Sequence, residues 1–443
     1  MADLLIRDLD LVVTLDDEDR LLRGSDLAVR GPSILALGAP PPDFTPEEVV
    51  DGRGKLALPG LFNAHCHAAM TLERGFAEDL PFDRWLNEKI WVAESALEEE
   101  DVYWGTALAA CEMIRAGVVG FADHYFWMDQ AARAVEESGL KALLAWCHFG
   151  LGPDQEVGGV SFEATRDFAA GFNGAADGRV RTAMGPHSPY MCSPETLSRC
   201  AEAAGAIGVP VHLHLAESAE QVAVSRQKHG RSPIAHVAAR GVFDGPAIAA
   251  HCIALDDADV SLLAEREVSV AHTPKTYMKL AMGMTPVQRL LDAGVNVALG
   301  TDGPASNSDL DLLQVARLTG LLQKWIQGSA EALPLTQLLR MASTAGARAL
   351  GFSSSGVIAP GAAADLVLVR TGGARWAPGH DPVASLVYAS QPADVTDVLV
   401  NGAPLLRDGA LTTLDEERIC REATRRARRM VGTDMAQLRR YQG

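Results

Sequence analysis

Histidines and carboxylates recur at the ends of short apolar runs along this chain. LALPGLFNAHCH closes on His65 and His67. Residues two apart on a strand share a face, so both imidazoles reach one point while Cys66 faces away. PVHLHLAE repeats the spacing with His212 and His214 and sets Glu217 just past the run. AIAAHCIAL carries His251, and NVALGTDG ends on Asp302 before a glycine. Singly, each has an ordinary explanation: a strand-end histidine satisfied by hydrogen bonds, or a turn carboxylate. Together, three histidines from LALPGLFNAHCH and PVHLHLAE with Asp302 suit a borderline-soft divalent ion such as Zn²⁺ with one position left for water. Such an ion lowers its water's pKa towards roughly 7. A carboxylate at the ion can accept the water proton, and a second acid must protonate a ring nitrogen under attack. Glu217 is placed for that second task. His251 is placed to polarise the nucleophile or to stabilise developing charge.

These residues need a scaffold that gathers strand ends. Eight candidate strands, LALPGLFNAH, VVGFADH, ALLAWCHF, VRTAMGPH, PVHLHLAE, AIAAHCIAL, VSVAHTP and NVALGTD, alternate with helical patterns such as EEDVYWGTALAACEMIRAG and SPETLSRCAEAAGAIG. Several helical patterns stop at glycine, the residue a left-handed C-terminal cap favours. Eight alternations are the count of an α/β (β/α)8 TIM barrel, whose C-terminal strand ends form the reactive mouth. The first fifty-odd residues and the stretch after about Ser354 read as short strands with turn signals. Neither group buries a face alone, so both chain ends are expected to build one small β-sandwich beside the barrel. The expected divisions are 1–57, the barrel at 58–354, and 355–443 with a terminal helix.

The 443 residues are 48% hydrophobic and 22% charged, with net charge −18. That balance suits a soluble globular protein and argues against a phosphate-backbone partner. The basic cluster Arg425, Arg426, Arg428 and Arg429 reads as the solvated face of a terminal helix, with Glu416, Glu417 and Glu422 nearby. Seven scattered cysteines without a CxxC pair fit a reducing compartment. The N-terminal segment has acids within its apolar stretches and does not read as a signal peptide. No run approaches the roughly 18 apolar residues that span a bilayer. A cytoplasmic location is the expectation.

PGLFNAHCHAAMTLERGFAEDL, MGPHSPYMC, VHLHLAE, AHC, HTPKTYMKLAMGMTPVQRLL and LGTDGPASNSDLDLL resemble the amidohydrolase superfamily. The chain is most similar to the branch of S-adenosylhomocysteine and methylthioadenosine deaminases and the related s-triazine hydrolases. The resemblance runs over almost the whole chain. It implies one ion, zinc or sometimes iron, held by His65, His67, His214 and Asp302. It implies water activation by Asp302 and His251, with Glu217 shuttling protons to the leaving amine. It implies that Glu94 holds ribose hydroxyls and that His187 contacts the base. Barrels of this kind often form dimers or tetramers. Glu94 also lies in an acidic stretch, ESALEEED, that would be a plain helix surface.

The chain departs from that branch in places. Trp146 stands where a carboxylate-binding arginine is expected, and GPDQEVGGVSFEA contains no arginine. Homocysteine-bearing substrates are therefore disfavoured, since an unpaired buried carboxylate is costly. Tyr277 replaces a common asparagine and is expected to narrow or reshape the mouth. Trp91 and Phe126 could stack on a flat ring.

The reading that results is hydrolytic deamination of an amino-substituted N-heterocycle, an adenine nucleoside foremost. Pterins, oxidised purines and s-triazines are alternatives within the class. A hydantoinase-type cyclic amide hydrolase would need a bridging lysine at a strand end, and Lys275 and Lys279 lie in the loop after strand seven. A barrel retained only for binding would have little use for the complete ligand set.

Overall fold

The computed structural model describes residues 3–150 and 161–432. Eight parallel strands follow one another in chain order around the barrel: Leu61–Cys66, Val118–Tyr125, Lys141–His148, Val180–Pro186, Val211–Leu215, Ala247–His251, Ser269–His272 and Asn296–Leu299. All eight overlap the apolar runs read from the sequence. They are buried along nearly their whole length, as strands covered by helices must be. The seam between strands eight and one is joined by Asn63, whose side chain donates to Thr301 Oγ1 at 2.7 Å and accepts from the Thr301 amide at 3.0 Å. The Asp302 amide donates to the His65 carbonyl at 3.0 Å.

The helices between strands start and stop where side-chain chemistry directs. Ser193 caps Pro194–Ile207 by accepting from the Thr196 amide, and Gly208 ends it in the left-handed region. Ser218 and Gly230 do the same for Ala219–His229. Asp256 and Asp259 form a reciprocal capping box on Asp257–Glu265.

The run LALPGLFNAH is two strands. Lys55–Pro59 belongs to the outer sheet and Leu61–Cys66 to the barrel, with the break at Gly60. A β-carbon at Gly60 would lie 2.3 Å from Val119 Cγ2, so only glycine lets the chain cross there. The chain ends build one nine-stranded sheet. Lys55–Pro59 is its junction, parallel to Leu4–Val13 on one side and antiparallel to Leu366–Arg370 on the other. The sheet curls until Ser33 bridges to Ala363, enclosing its own core of Ile6, Leu27, Val29, Ile358, Leu366 and Leu399. Its other face, including Leu11, Leu56, Leu58 and Val367, packs into the barrel's core. No described helix is long and apolar enough to cross a membrane.

The terminal helix Glu416–Val431 lies against Glu99–Arg115. Its arginines face acids: Arg426 is buried against Glu100 and Asp101, and Arg429 pairs with Glu98 and Asp101.

Candidate active site

Five side chains converge at the C-terminal mouth. Ligand atoms of His65, His67 and His214 lie within 4.8 Å of one another, and so do those of His65, His251 and Asp302. His67 Nε2 is 3.2 Å from His214 Nε2 and 3.3 Å from Asp302 Oδ1, while His65 Nε2 is 3.6 Å from that same oxygen. The distal nitrogens are all occupied. His67 Nδ1 lies 2.6 Å from the His124 carbonyl, His214 Nδ1 lies 3.0 Å from the His187 carbonyl, and His65 Nδ1 lies 2.9 Å from His212 Nε2. A carbonyl only accepts, so Nδ1 of His67 and His214 carries the proton and Nε2 presents its lone pair inward. His65 Nε2 is buried with no hydrogen-bond partner. Converging lone pairs beside a carboxylate are what a cation binds, and the set is His₃Asp, the donor chemistry of zinc or iron(II). The residues fit a divalent ion. His212 supports His65 from one layer deeper.

The backbone contributes to this convergence. His251 and Asp302 both adopt left-handed φ, 77° and 65°, uncommon for residues with a side chain. The turns swing both groups over the mouth as strands six and eight end. Tyr277 underpins the first of them. It is fully buried, its hydroxyl accepts from the Thr273 amide at 3.0 Å, and it lies 3.4 Å from the His251 carbonyl. Tyr277 therefore braces the turn from below and does not narrow the mouth. Strand eight reaches strand one because Gly300 has no β-carbon, which would lie 2.9 Å from the His65 carbonyl oxygen.

Electrostatics separates the acids. Burial opposes ionisation of Asp302, but His65 and His67 hold its carboxyl well below the usual range. Burial pushes Glu217 up, with His251 and the Tyr190 hydroxyl only partly offsetting it. The two carboxyls are thus shifted in opposite directions, the division an acid–base pair requires. Burial pushes Glu94 up to about 7, opposed by a hydrogen bond from the Tyr125 hydroxyl at 2.6 Å. Burial draws His187 down to about 3, so it is neutral near pH 7.

A cleft opens over the centre. His67, His214, Glu217, His251, Asp302, Glu94, His187, Trp91 and Phe126 all line it. Residues 82–94 supply an apolar wall with Phe82, Trp85 and Leu86, and Leu280 and Met282 face it from the loop after strand seven. Trp146 is not among the lining residues. Its ring packs edge-on to Phe168, 5.6 Å between centroids, behind the strand, while its neighbour Cys147 faces the cleft. Alternation along the strand sends the two in opposite directions. The segment GPDQEVGGV lies outside the described residues. Lys275 is held by Asp309 and Gln314, and Lys279 by Glu78 and Ser308, so neither bridges the centre.

Among the lining residues absent from the sequence-derived set are Tyr125, Tyr190 and Phe149. Tyr190 stood in the MGPHSPYMC motif. Nothing local tied it to Glu217, 27 positions on, to which its hydroxyl donates.

A nearly closed parallel barrel with a His/Asp centre at its C-terminal mouth defines a metal-assisted barrel hydrolase. The chain belongs to the amidohydrolase family, whose model matches residues 56–405. A 5-methylthioadenosine/S-adenosylhomocysteine deaminase from Pelotomaculum thermopropionicum is 43% identical over 437 residues, 98% of this chain and 100% of that protein. The 5'-deoxyadenosine deaminase of Methanothermobacter thermautotrophicus is 44% identical over 386 residues, 87% of this chain and 90% of its own length. The zinc-bound crystal structure of an adenosine deaminase from Xanthomonas campestris superposes with TM-score 0.92 at 35% identity, covering 97% of this chain and 99% of its own.

Proposed function

We propose that this protein hydrolyses the exocyclic amine of an adenine nucleoside and releases ammonia, with one divalent ion held by His65, His67, His214 and Asp302. Zinc is the first choice and iron(II) the second. The observation that carries the reading is the placement of Glu217, held by the Tyr190 hydroxyl, in one cleft with Asp302, which faces the imidazoles of His65 and His67. An amine leaves only once protonated, whereas a halide needs no such acid. The names of the similar deaminases support the same reaction.

When bound, the ion supplies Lewis acidity and brings the pKa of its water towards roughly 7. Asp302 accepts the proton that the attacking water loses. His251, braced by Thr273 Oγ1 at 3.2 Å from its Nδ1, faces the developing negative charge. Glu217 gives a proton to the ring nitrogen as the carbon is attacked, then takes up the proton of the added hydroxyl and passes it to the departing amine, and the proton held by Asp302 restores Glu217 to its acid form. The balance is nucleoside plus water to the oxo-nucleoside plus ammonia. Glu94 accepts hydrogen bonds from ribose hydroxyls, and neutral His187 contacts the base. Trp91 and Phe126 supply apolar surface for the flat ring.

The substituent at the 5' position is uncharged in this reading. No lysine or arginine lines the cleft among the described residues, and 151–160 contains none by sequence, only Asp154 and Glu156 as charges. That absence now carries the argument against a homocysteine carboxylate; Trp146 does not, since it faces away. Methylthioadenosine and 5'-deoxyadenosine are the leading substrates. An ammonia-release assay of zinc-loaded protein across adenosine, deoxyadenosine, methylthioadenosine, S-adenosylhomocysteine, guanine, isoxanthopterin and melamine tests this. A preference for S-adenosylhomocysteine would overturn the 5' assignment, and a preference for melamine or isoxanthopterin would overturn the nucleoside.

Self-association belongs to the same reading. Leu321, Trp325 and Ile326 lie exposed on the helix Leu312–Gln327, Trp325 at 80%. Sedimentation of a monomer at micromolar concentration would remove the oligomer.

A further inference from the structure

Glu217 is held in an asymmetric way. The Tyr190 hydroxyl donates to Glu217 Oε1, and the Glu217 amide donates to Gln221 Oε1 at 3.1 Å. Glu217 Oε2 has no protein hydrogen-bond partner among the described residues. A phenol has one hydrogen. While Tyr190 donates it to Oε1, that oxygen is favoured as the carbonyl oxygen of the acid, the better acceptor, and the carboxyl proton is favoured on Oε2. Tyr190 is itself fixed. It leaves strand four through the turn after His187, where the amides of Met191 and Cys192 both bond back to Ser188, and its ring stands edge-on to His187 at 5.7 Å. Both Tyr190 and Glu217 line the cleft.

We infer that Tyr190 is a positioning residue that directs the proton-carrying role to Glu217 Oε2. The inference rests on the deaminase reading for its consequence, though not for its geometry. A shuttle must take up a proton and hand it on at a fixed place. With Oε1 tied to Tyr190, Oε2 serves both transfers and the carboxyl plane has no freedom to turn. The phenol proton stays on Tyr190 throughout, so the overall balance of the reaction is unchanged. Without the tie, either oxygen could be protonated and the carboxyl would rotate, so the productive arrangement would be a fraction of the ensemble.

Tyr190→Phe removes only the hydroxyl. In zinc-loaded enzyme, kcat is expected to fall roughly 10–100-fold, the scale of an orienting hydrogen bond around a metal centre, with KM and zinc content within twofold of wild type. In a Glu217→Gln background the same change is expected to add less than twofold, because Tyr190 acts through Glu217. A change in KM alone, or full additivity in the double variant, would show that Tyr190 touches substrate instead and would overturn the inference. A second readout needs no turnover. In protein carrying ¹³C-labelled glutamate carboxyls, the Glu217 signal, assigned by its loss in Glu217→Gln, should titrate about one pH unit higher in Tyr190→Phe, since the hydroxyl favours the ionised form. An unmoved signal overturns the positioning role. A moved signal in protein that deaminates nothing would retire the proposed activity and leave the Tyr190–Glu217 link standing.

Discussion

At the scale of single residues, ligand and shuttle should separate cleanly on substitution. Asp302→Asn should lower both metal content and turnover, because the carboxylate faces two ligand imidazoles at 3.3 and 3.6 Å. Glu217→Gln should keep the metal and lose about 10²–10⁴-fold in kcat, the usual worth of a positioned proton donor. Metal analysis beside steady-state rates distinguishes them, and metal loss in Glu217→Gln would make Glu217 a ligand. Glu94 gives a pH test. Burial pushes it up to about 7, so its acceptor form is lost as pH falls through that value. KM for a nucleoside should therefore rise below pH 7, approaching about tenfold per pH unit, with kcat less affected. Glu94→Gln should raise KM and flatten that dependence; a steep KM profile surviving in the variant would assign the titration elsewhere. The ligand residues were legible because their types are rare together and their spacing matches a strand's period. Tyr190 and Tyr125 were not, since their meaning lies in bonds to Glu217 and Glu94 across separate elements.

At the scale of elements, the terminal helix braces the wall of the cleft. Arg426 and Arg429 of Glu416–Val431 both reach Asp101, which is buried in the first turn of Glu99–Arg115, a few residues beyond Glu94. Asp101 also accepts from the Glu98 amide at 2.7 Å, so one carboxylate caps a helix and docks another. Arg426→Ala should cost about 3 kcal/mol in urea denaturation, because it strips a buried acid of a buried partner. It should also raise KM, by loosening 82–94 around Glu94. A loss below about 0.5 kcal/mol, the scale of a surface pair, would show the network to be ornamental. The sequence displayed this helix as a solvated basic face. Its charges could be counted, but which acids they met depends on residues more than 300 positions away. The barrel strands were readable for the opposite reason. Each announces itself locally, by an apolar run ending in a polar residue. Local pattern does not say which face of a strand looks inward: Cys147 faces the cleft and Trp146 does not.

At the scale of the whole molecule, chemistry and cohesion occupy opposite ends of the barrel. The mouth gathers the strained turns and the converging imidazoles. Lys141, which begins strand three, sits at the other end and is buried with Asp365, Nζ to Oδ2 at 2.5 Å. Ser355 completes the Nζ contacts at 3.1 Å, and Asp365 Oδ1 accepts the Asn401 amide at 2.8 Å. The Asp365 carbonyl also takes the Gly60 amide at 2.9 Å, at the point where the chain passes from sheet to barrel. One aspartate thus binds the barrel floor, the outer sheet and the crossing between them. Removing the lysine leaves that carboxylate buried and unpaired, so Lys141→Met should cost about 3–5 kcal/mol. Adding Asp365→Asn should recover part of the loss, because a neutral amide needs no counter-ion. Conservation at this end of a barrel serves stability, so kcat of the surviving folded fraction should stay within twofold of wild type. Urea titrations of the two variants, followed by near-ultraviolet dichroism, test both halves. A Lys141→Met protein as stable as wild type would mean that apolar packing alone unites sheet and barrel. A stable fold with depressed kcat would mean that the floor reports to the mouth, and that the two ends are not separable after all.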